Sequence, residues 1–246
     1  MSHIAPLNAA DIHDPELLAL MARAEELGVP DGVFTRIVAR VPSYAKVLLN
    51  ALLVSHGQGN VDHKLKEVIR IQLARFAGDT YFSNLRSKRA LAAGLDEATI
   101  DEACNSYEQG SRFSKAEKVA LRYADMMYLD ANQVDKAFYD AMKQHYTEAQ
   151  IMELGGFIAF HYGMQVFMRT LNAAPATGCH QSRCYDARRC SPNLEATIRT
   201  TRMTEKLHIG SAFPAMTIPL VGGGTMELPN GLDAKYRVVL FYRGHW

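Results

Sequence analysis

The fold is decided by residues 62–95, which have the sequence DHKLKEVIRIQLARFAGDTYFSNLRSKRALAAGL. Asp62 is a typical helix N-cap, and Gly94 suits the position just after the end of a second helix. Between these two signals the first helix places apolar residues at the spacing of one amphipathic face: Leu65, Val68, Ile69, Leu73 and Phe76. The second helix carries Leu85, Ala90 and Leu91. The stretch therefore predicts two helices joined by a short connection.

Further helix signals lie on both sides of this stretch. Asp14-Pro15 is an N-cap followed by proline at the first helical position, and Pro42 can open another helix. Capping boxes begin at Ser114 and at Thr147, the second ahead of a long apolar run. No alternating strand pattern precedes Pro175. An all-α domain is predicted for residues 1–176.

The character of the chain changes after Ala176. Residues 177–202 hold three cysteines and five arginines without helical or strand periodicity, and we expect a disordered linker there. Sequence typical of strands and turns follows at 214–218, 222–224 and 238–242. Helices followed by strands indicate two units, with the second unit spanning residues 203–246.

Composition and charge exclude several classes of protein. Hydrophobic residues make up 48% of the 246 residues and charged residues 22%, as in ordinary globular proteins. A net charge of +1 provides no field for binding nucleic acid or an anionic membrane. The apolar run 151–171 contains Glu153, His161 and Arg169, which favours a core helix over a membrane span. Since no secretory signal is readable, a cytoplasmic protein is predicted.

The helical part resembles the alkylhydroperoxidase/carboxymuconolactone decarboxylase family. The resemblance is carried by residues 65–70, by Arg86, by residues 90–95 and by residues 113–124. It implies an all-α, cofactor-free, homo-oligomeric protein, a trimer or hexamer. It also implies an antioxidant oxidoreductase of the peroxiredoxin-activity type, or a decarboxylase.

Peroxidases of that family resemble one another in a Glu followed by Cys-x-x-Cys-x-x-x-His-x-x-x-Ala-x-x-x-Gly, and Ala90 and Gly94 fix the register here. In this register the acidic residue is Glu67, the two cysteine positions are Asp79 and Phe82, and the histidine position is Arg86. Peroxide reduction needs a thiolate to attack and a second sulfur to resolve the sulfenic acid. Neither Asp79 nor Phe82 has a sulfur atom, so neither can supply the attacking thiolate or the resolving sulfur. The resemblance therefore implies a degenerate site with weak or no peroxidase activity.

A rival hypothesis belongs to a different functional class. In it the chain is a cofactor-free enzyme or binder for a small carboxylate or lactone, with Arg86 as the anion clamp and Glu67 or Asp79 as the acid or base. A purely structural oligomer is the third hypothesis. If one helix runs through Asp79, Phe82 and Arg86, these residues share a face. We then expect Arg86 to pair with Glu67, Asp79 or both, while Phe82 fills the space of the lost sulfur.

Residues 203–246 resemble the opening of a peroxiredoxin of the alkyl hydroperoxide reductase/thiol-specific antioxidant family. There a buried strand ends in an aromatic-Arg-Gly-x-Trp stretch, seen here at residues 242–246, and the catalytic cysteine follows it. The resemblance implies a truncated, thioredoxin-like β segment. Because residues 203–206 also resemble a natural start, we hypothesise that two antioxidant-type reading frames have been joined.

The remaining histidines and cysteines predict no metal site. Cys179, His180, Cys184 and Cys190 lack the paired Cys-x-x-Cys spacing of a zinc knuckle. His161 lies on the most apolar helix, where a hydrogen-bonded core histidine is favoured over a pocket residue.

Overall fold

A computed structural model of the protein describes residues 2–176, 215–219, 224–228 and 231. The chain divides into two compact units, residues 1–190 and 191–246, and each is described by itself. Short 3-10 turns lie at Ala9–Asp11 and Ala131–Gln133. The α-helices described in the first unit are α1 (Pro15–Leu27), α2 (Gly32–Val38), α3 (Pro42–Gly57), α4 (His63–Ala77), α5 (Thr80–Asn84), α6 (Lys88–Ala92), α7 (Glu97–Asn105), α8 (Lys115–Leu129), α9 (Lys136–Met142) and α10 (Glu148–Leu171).

The helix boundaries follow the predicted caps. The Asp14 and Asp62 carboxylates accept hydrogen bonds from the backbone N–H groups of Leu17 and Leu65, at the starts of α1 and α4. Both capping boxes, at Ser114 and Thr147, are fully formed. The prediction of a helical fold for residues 2–176 is confirmed, and local chemistry alone placed these helix ends.

Helix α4 differs from the prediction because it is buried on every side. Residues 65–74 are all buried, including the charged Lys66, Glu67 and Arg70, so the expected solvent-facing side does not exist. The surrounding helices α3, α5, α6, α7, α8 and α10 all contact α4. Charges on such a helix must find partners inside the protein, because isolated buried charges are very costly.

The single helix expected through Asp79, Phe82 and Arg86 is wrong. Helix α5 ends at Asn84, and Leu85 and Ser87 have extended backbone conformations. The Ser87 hydroxyl then caps α6 by accepting a hydrogen bond from the Ala90 N–H at 3.4 Å. The break separates Arg86 from the helical face that would have carried it toward Asp79.

Two hydrophobic cores lie in the first unit, and α4 contributes to both. One core is formed mainly by α1, α2, α3 and α5, and the other mainly by α4, α7, α8 and α10. The side chain of Gln165, on α10, reaches α4 and donates a hydrogen bond from Nε2 to the Arg70 carbonyl at 2.8 Å. None of the described helices combines the length and apolar character needed to cross a membrane.

In the second unit the structure describes one antiparallel pair of strands, β1 (Met216–Pro219) and β2 (Thr225–Leu228). The strand predicted at 214–218 thus begins at residue 216. Two short strands do not establish a thioredoxin-like fold, so that finer assignment is not supported. The linker 177–202, its three cysteines and the predicted strand at 238–242 lie outside the described residues. The domain bounds drawn at 176, 202 and 203 stay predictions.

Candidate functional site

The Glu67 carboxylate lies at the centre of a buried polar network and is fully enclosed. Arg70 binds it through two charge-assisted hydrogen bonds, from Nε to Oε2 and from Nη2 to Oε1, both 2.8 Å. The Ser87 backbone N–H donates to Oε1 at 2.7 Å, and His56 Nε2 lies 3.0 Å from Oε2. Burial opposes the charge on Glu67, but Arg70 and these hydrogen bonds outweigh it. They hold the pKa of Glu67 well below its usual range.

The Arg70 guanidinium connects α4 to the chain segment that follows α5. Beyond its two bonds to Glu67, it donates from Nη1 to the Phe82 carbonyl at 2.6 Å and from Nη2 to the Leu85 carbonyl at 2.8 Å. Its planar set of donors matches this arrangement of one carboxylate and two carbonyls. Arg70 therefore supplies the buried positive charge that the sequence analysis assigned to Arg86.

Three histidines line the network, and the burial of each lowers its pKa. His63 Nδ1 lies 2.9 Å from the His56 carbonyl oxygen and so donates to it. His63 Nε2 then accepts a hydrogen bond from the Ser87 hydroxyl at 2.7 Å. His161 Nε2 lies 3.3 Å from Ser55 Oγ on α3. The expectation that His161 is a hydrogen-bonded core histidine agrees with this geometry.

The contact between Ser87 and His63 has the geometry of a nucleophile beside its base. Its surroundings favour a structural role, because Ser87 is 0% exposed and His63 is 6% exposed. The same hydroxyl caps α6, while the backbone N–H of Ser87 binds Glu67. Each polar group of Ser87 is thus committed to holding the 85–88 segment against α4.

Asp79 lies at the family's first cysteine position and is the N-cap of α5. Its carboxylate accepts hydrogen bonds from the backbone N–H groups of Tyr81 at 3.0 Å and Phe82 at 3.1 Å. Burial raises the pKa of Asp79 to about 6, although the two N–H donors and the nearby Arg70 and Arg169 charges partly oppose that shift. Asp79 is therefore the acidic group of this region that titrates near neutral pH.

Phe82, at the second cysteine position, is a core residue with 1% exposure. Its ring packs against the rings of Tyr81 and Phe34, with centroids 4.9 and 5.9 Å away. The Arg70 guanidinium carbon lies 5.9 Å from the centre of the Phe82 ring. Phe82 thus contributes packing through its side chain and a hydrogen-bond acceptor through its backbone.

The predicted ion pair of Arg86 with Glu67 or Asp79 is wrong. Arg86 binds Glu97 instead, through Nε and Nη2 at 2.8 and 3.1 Å, and the Glu97 side chain is half-exposed. Its Nη1 group donates to the Ser83 and Leu85 carbonyls. The extended backbone at Leu85 and Ser87, on either side of Arg86, accompanies its turn toward Glu97 at the start of α7. The anion clamp built from Arg86 and Glu67 fails for the same reason, since the two side chains do not converge and each is already paired.

Sequence reasoning missed the groups that complete the network, namely His56, His63, Arg70 and Ser87. One signal was available: Glu67 and Arg70 are three residues apart on one helix, a spacing at which opposite charges meet. No comparable signal joins His56 or Ser87 to Glu67, because those contacts depend on how α3 and the 85–88 segment pack. Among the described residues, no group of three His, Cys, Asp or Glu side chains is placed to hold a metal ion.

Comparisons with known proteins identify the fold of the helical part. No family model and no curated protein matches the chain. The debrominase Bmp8 in complex with 2,3,4-tribromopyrrole has a TM-score of 0.60 at 19% identity, covering 72% of this chain and 93% of that chain. The alkylhydroperoxidase AhpD core protein from Ralstonia eutropha JMP134, described as an uncharacterized peroxidase-related protein, has a TM-score of 0.60 at 13% identity, with coverages of 72% and 95%. An uncharacterized peroxidase-related protein from Silicibacter sp. TM1040 has a TM-score of 0.59 at 12% identity, with coverages of 73% and 95%.

These similarities show that the helical part has an AhpD-like fold. One neighbour is described as an alkylhydroperoxidase AhpD core protein, in agreement with the alkylhydroperoxidase-type fold that the sequence resemblance implied, and identities of 12–19% establish shared architecture alone. They give no support to the resemblance of residues 203–246 to a peroxiredoxin.

Proposed function

We propose that this protein is an antioxidant-related, AhpD-like protein whose site is degenerate. In this proposal the region that carries peroxide chemistry in the resembling family stabilises the fold and has weak or no peroxidase activity. Homo-oligomeric assembly, function without a cofactor and a cytoplasmic location are parts of the same proposal. The peroxidase-related descriptions of the structural neighbours favour the antioxidant setting.

The observation that carries the proposal is that the Glu67 carboxylate is already bound by partners inside the protein. A carboxylate that relays protons must be able to accept one and must face a reacting group. Glu67 instead binds Arg70 and Ser87, lies against His56, and has no exposed surface. Its depressed pKa opposes proton uptake at neutral pH. Such a group stabilises a folded protein effectively and is a poor general base.

The residues at the two cysteine positions support the same proposal. Asp79 caps α5 and Phe82 fills the core, so neither position offers a nucleophilic sulfur. Cys104, the cysteine that lies within the described residues, is on α7, and the family register assigns it no role.

The test is peroxide consumption by the purified full chain with a thiol reductant, compared with a variant in which all four cysteines are serine. We expect both proteins to consume an organic hydroperoxide no faster than an unrelated control protein. Turnover that disappears in the cysteine-free variant would show that a thiol outside the family positions performs the reaction, and the proposal would fail.

A second candidate is acid–base chemistry on a small carboxylate or lactone, and it now rests on Asp79. The favouring observation is that burial raises the pKa of Asp79 to about 6, because a carboxyl group that titrates near neutrality can both donate and accept a proton. To reach a substrate, Asp79 would have to leave its capping position at the start of α5, where it is 2% exposed. Iodoacetamide separates the two reactions. Alkylation should leave lactone turnover intact, whereas it would stop any thiol-dependent peroxidase.

A further inference from the structure

Helices α3 and α10 are neighbours, and each exposes large apolar side chains. The two helices lie side by side and antiparallel: the Asn60 N–H, just after α3, donates to Glu153 near the start of α10 at 2.7 Å. Ser55 then contacts His161, further along α10, at 3.3 Å. These two contacts place the exposed side of α3 next to α10 along the length of both helices. We call this surface the α3–α10 face.

Large apolar side chains are unusually exposed on the α3–α10 face. On α10 the exposed residues between 152 and 167 carry no charge, and they include Met152 at 72% and Phe167 at 43% exposure. Between these two lie the small residues Gly156, Ala159 and Gly163. On α3 the large apolar residues are Tyr44 at 60%, Val47 at 66% and Val54 at 38% exposure. A charge-free strip of this kind costs free energy in water unless something covers it.

The dimensions of the α3–α10 face suit a modest protein interface. The α10 strip from Met152 to Phe167 is roughly 22 Å long, and two adjacent helices are roughly 20 Å wide. A patch of roughly 400 Å² is large enough to mark an interaction site on a monomer. Two such faces pressed together would bury on the order of 1,000 Å², at the lower end of specific interfaces. The area therefore favours a reversible association.

The arrangement of side chains along α10 identifies a suitable partner. The large residues Met152 and Phe167 stand at the two ends of the strip, and the small residues lie between them. A two-fold axis near Ala159 pairs Met152 of one copy with Phe167 of the other, and Gly156 with Gly163. The isologous interfaces of two-fold dimers require this self-complementarity. The exposed residues of the strip are uncharged, and Arg169, which is exposed just beyond its end, donates to the Ala77 carbonyl; this argues against an anionic lipid surface.

We propose that the α3–α10 face is the contact between two copies of this chain, related by a two-fold axis that crosses α10 near Ala159. The small residues let the two α10 helices approach closely, and Tyr44 and Val47 of α3 complete the apolar contact at its edge. Neither Glu67 nor Arg70 takes part, so this proposal does not depend on the degenerate site. It rests on the homo-oligomeric assembly proposed above, which peroxide turnover does not test.

The variant Gly163→Lys tests the contact without disturbing the monomer. A side chain built at Gly163 meets nothing within 4 Å, and replacing a glycine within a helix favours helix formation. Gly32→Lys is the matched control, because a side chain at Gly32 also meets nothing within 4 Å and this residue lies on α2. Sedimentation velocity of the full chain over a concentration series provides the readout.

We expect the wild type and Gly32→Lys to form dimers, or assemblies built from dimers, as concentration rises. We expect Gly163→Lys to weaken the two-fold contact at least about 100-fold, because each copy would bury an unpaired ammonium group against Gly156 of the other copy. A wild type that stays monomeric at every concentration overturns the proposal, as does an assembly that Gly163→Lys leaves intact. An assembly of an odd number of copies overturns the two-fold pairing. If the monomer sediments with phosphatidylcholine vesicles, the face belongs to a lipid surface instead.

Discussion

Replacing Arg70 with methionine should destabilise the helical part more than any surface charge change. Methionine has a similar length and keeps the apolar contacts of the side chain. The substitution leaves the buried Glu67 carboxylate without its cation and the Phe82 and Leu85 carbonyls without their donors. Breaking a buried ion pair by removing one partner typically costs about 3–5 kcal/mol. That is a large fraction of the stability of an ordinary domain.

A double-mutant cycle separates the ion pair from its surroundings. Glu67→Gln removes the negative charge while keeping an oxygen that can accept from Ser87. Because Glu67 and Arg70 share two hydrogen bonds, the double variant should cost about 1–3 kcal/mol less than the two single variants summed. Urea unfolding followed by far-UV circular dichroism gives each free energy of unfolding.

Glu97→Ala is the matched control for this cycle, since it also breaks an arginine–carboxylate pair. The Glu97 side chain is 53% exposed, so its removal should change the free energy of unfolding by about 1 kcal/mol or less. If Arg70→Met costs no more than Glu97→Ala, or if the Glu67 and Arg70 effects add, the buried network does not stabilise the fold as described.

Two pH-dependent predictions follow from the same region. Burial lowers the folded-state pKa values of His56, His63 and His161, so the unfolded chain binds more protons below about pH 6.5. The free energy of unfolding should therefore fall as pH drops, by up to about 4 kcal/mol per pH unit if all three histidines take up a proton on unfolding. A urea midpoint that does not change between pH 6.5 and 5 would contradict this prediction. The pKa of Asp79 shifts in the other direction. Because it is raised in the folded state, the protein loses stability as pH rises from 3.8 to about 6. The variant Asp79→Asn keeps an N-cap oxygen, so its free energy of unfolding should gain about 2–3 kcal/mol relative to wild type between pH 4 and pH 7. A pH-independent effect of Asp79→Asn, measured by thermal unfolding at both pH values, would exclude a raised pKa at this position.

The predictable part of the fold rests on local chemistry. Asp14, Asp62, Ser114 and Thr147 each cap a helix through bonds to backbone groups within three residues, so the sequence alone contains both partners. The overall helical architecture could be predicted for the same reason. Periodicity and caps are properties of short windows.

The site could not be predicted to the same degree because its contacts are distant in sequence. The charges of α4 look like a solvated helix face until α3, α10 and the 85–88 segment pack around them. No proline or glycine marks the end of the helix at Leu85. Residue spacing therefore predicted, wrongly, that Arg86 shares a helix face with Asp79 and Phe82. The three-residue spacing of Glu67 and Arg70 was the local indication of the true ion pair.

The most direct test of the central claim measures peroxide turnover and stability on the same Glu67→Gln protein. The claim is that Glu67 stabilises the fold and has no catalytic role in peroxide reduction. We predict that wild type and Glu67→Gln both consume an organic hydroperoxide at the rate of an unrelated control protein, while Glu67→Gln unfolds at a clearly lower urea concentration. Wild-type turnover that is lost in Glu67→Gln, with the urea midpoint unchanged, would show that Glu67 is catalytic and would contradict the account.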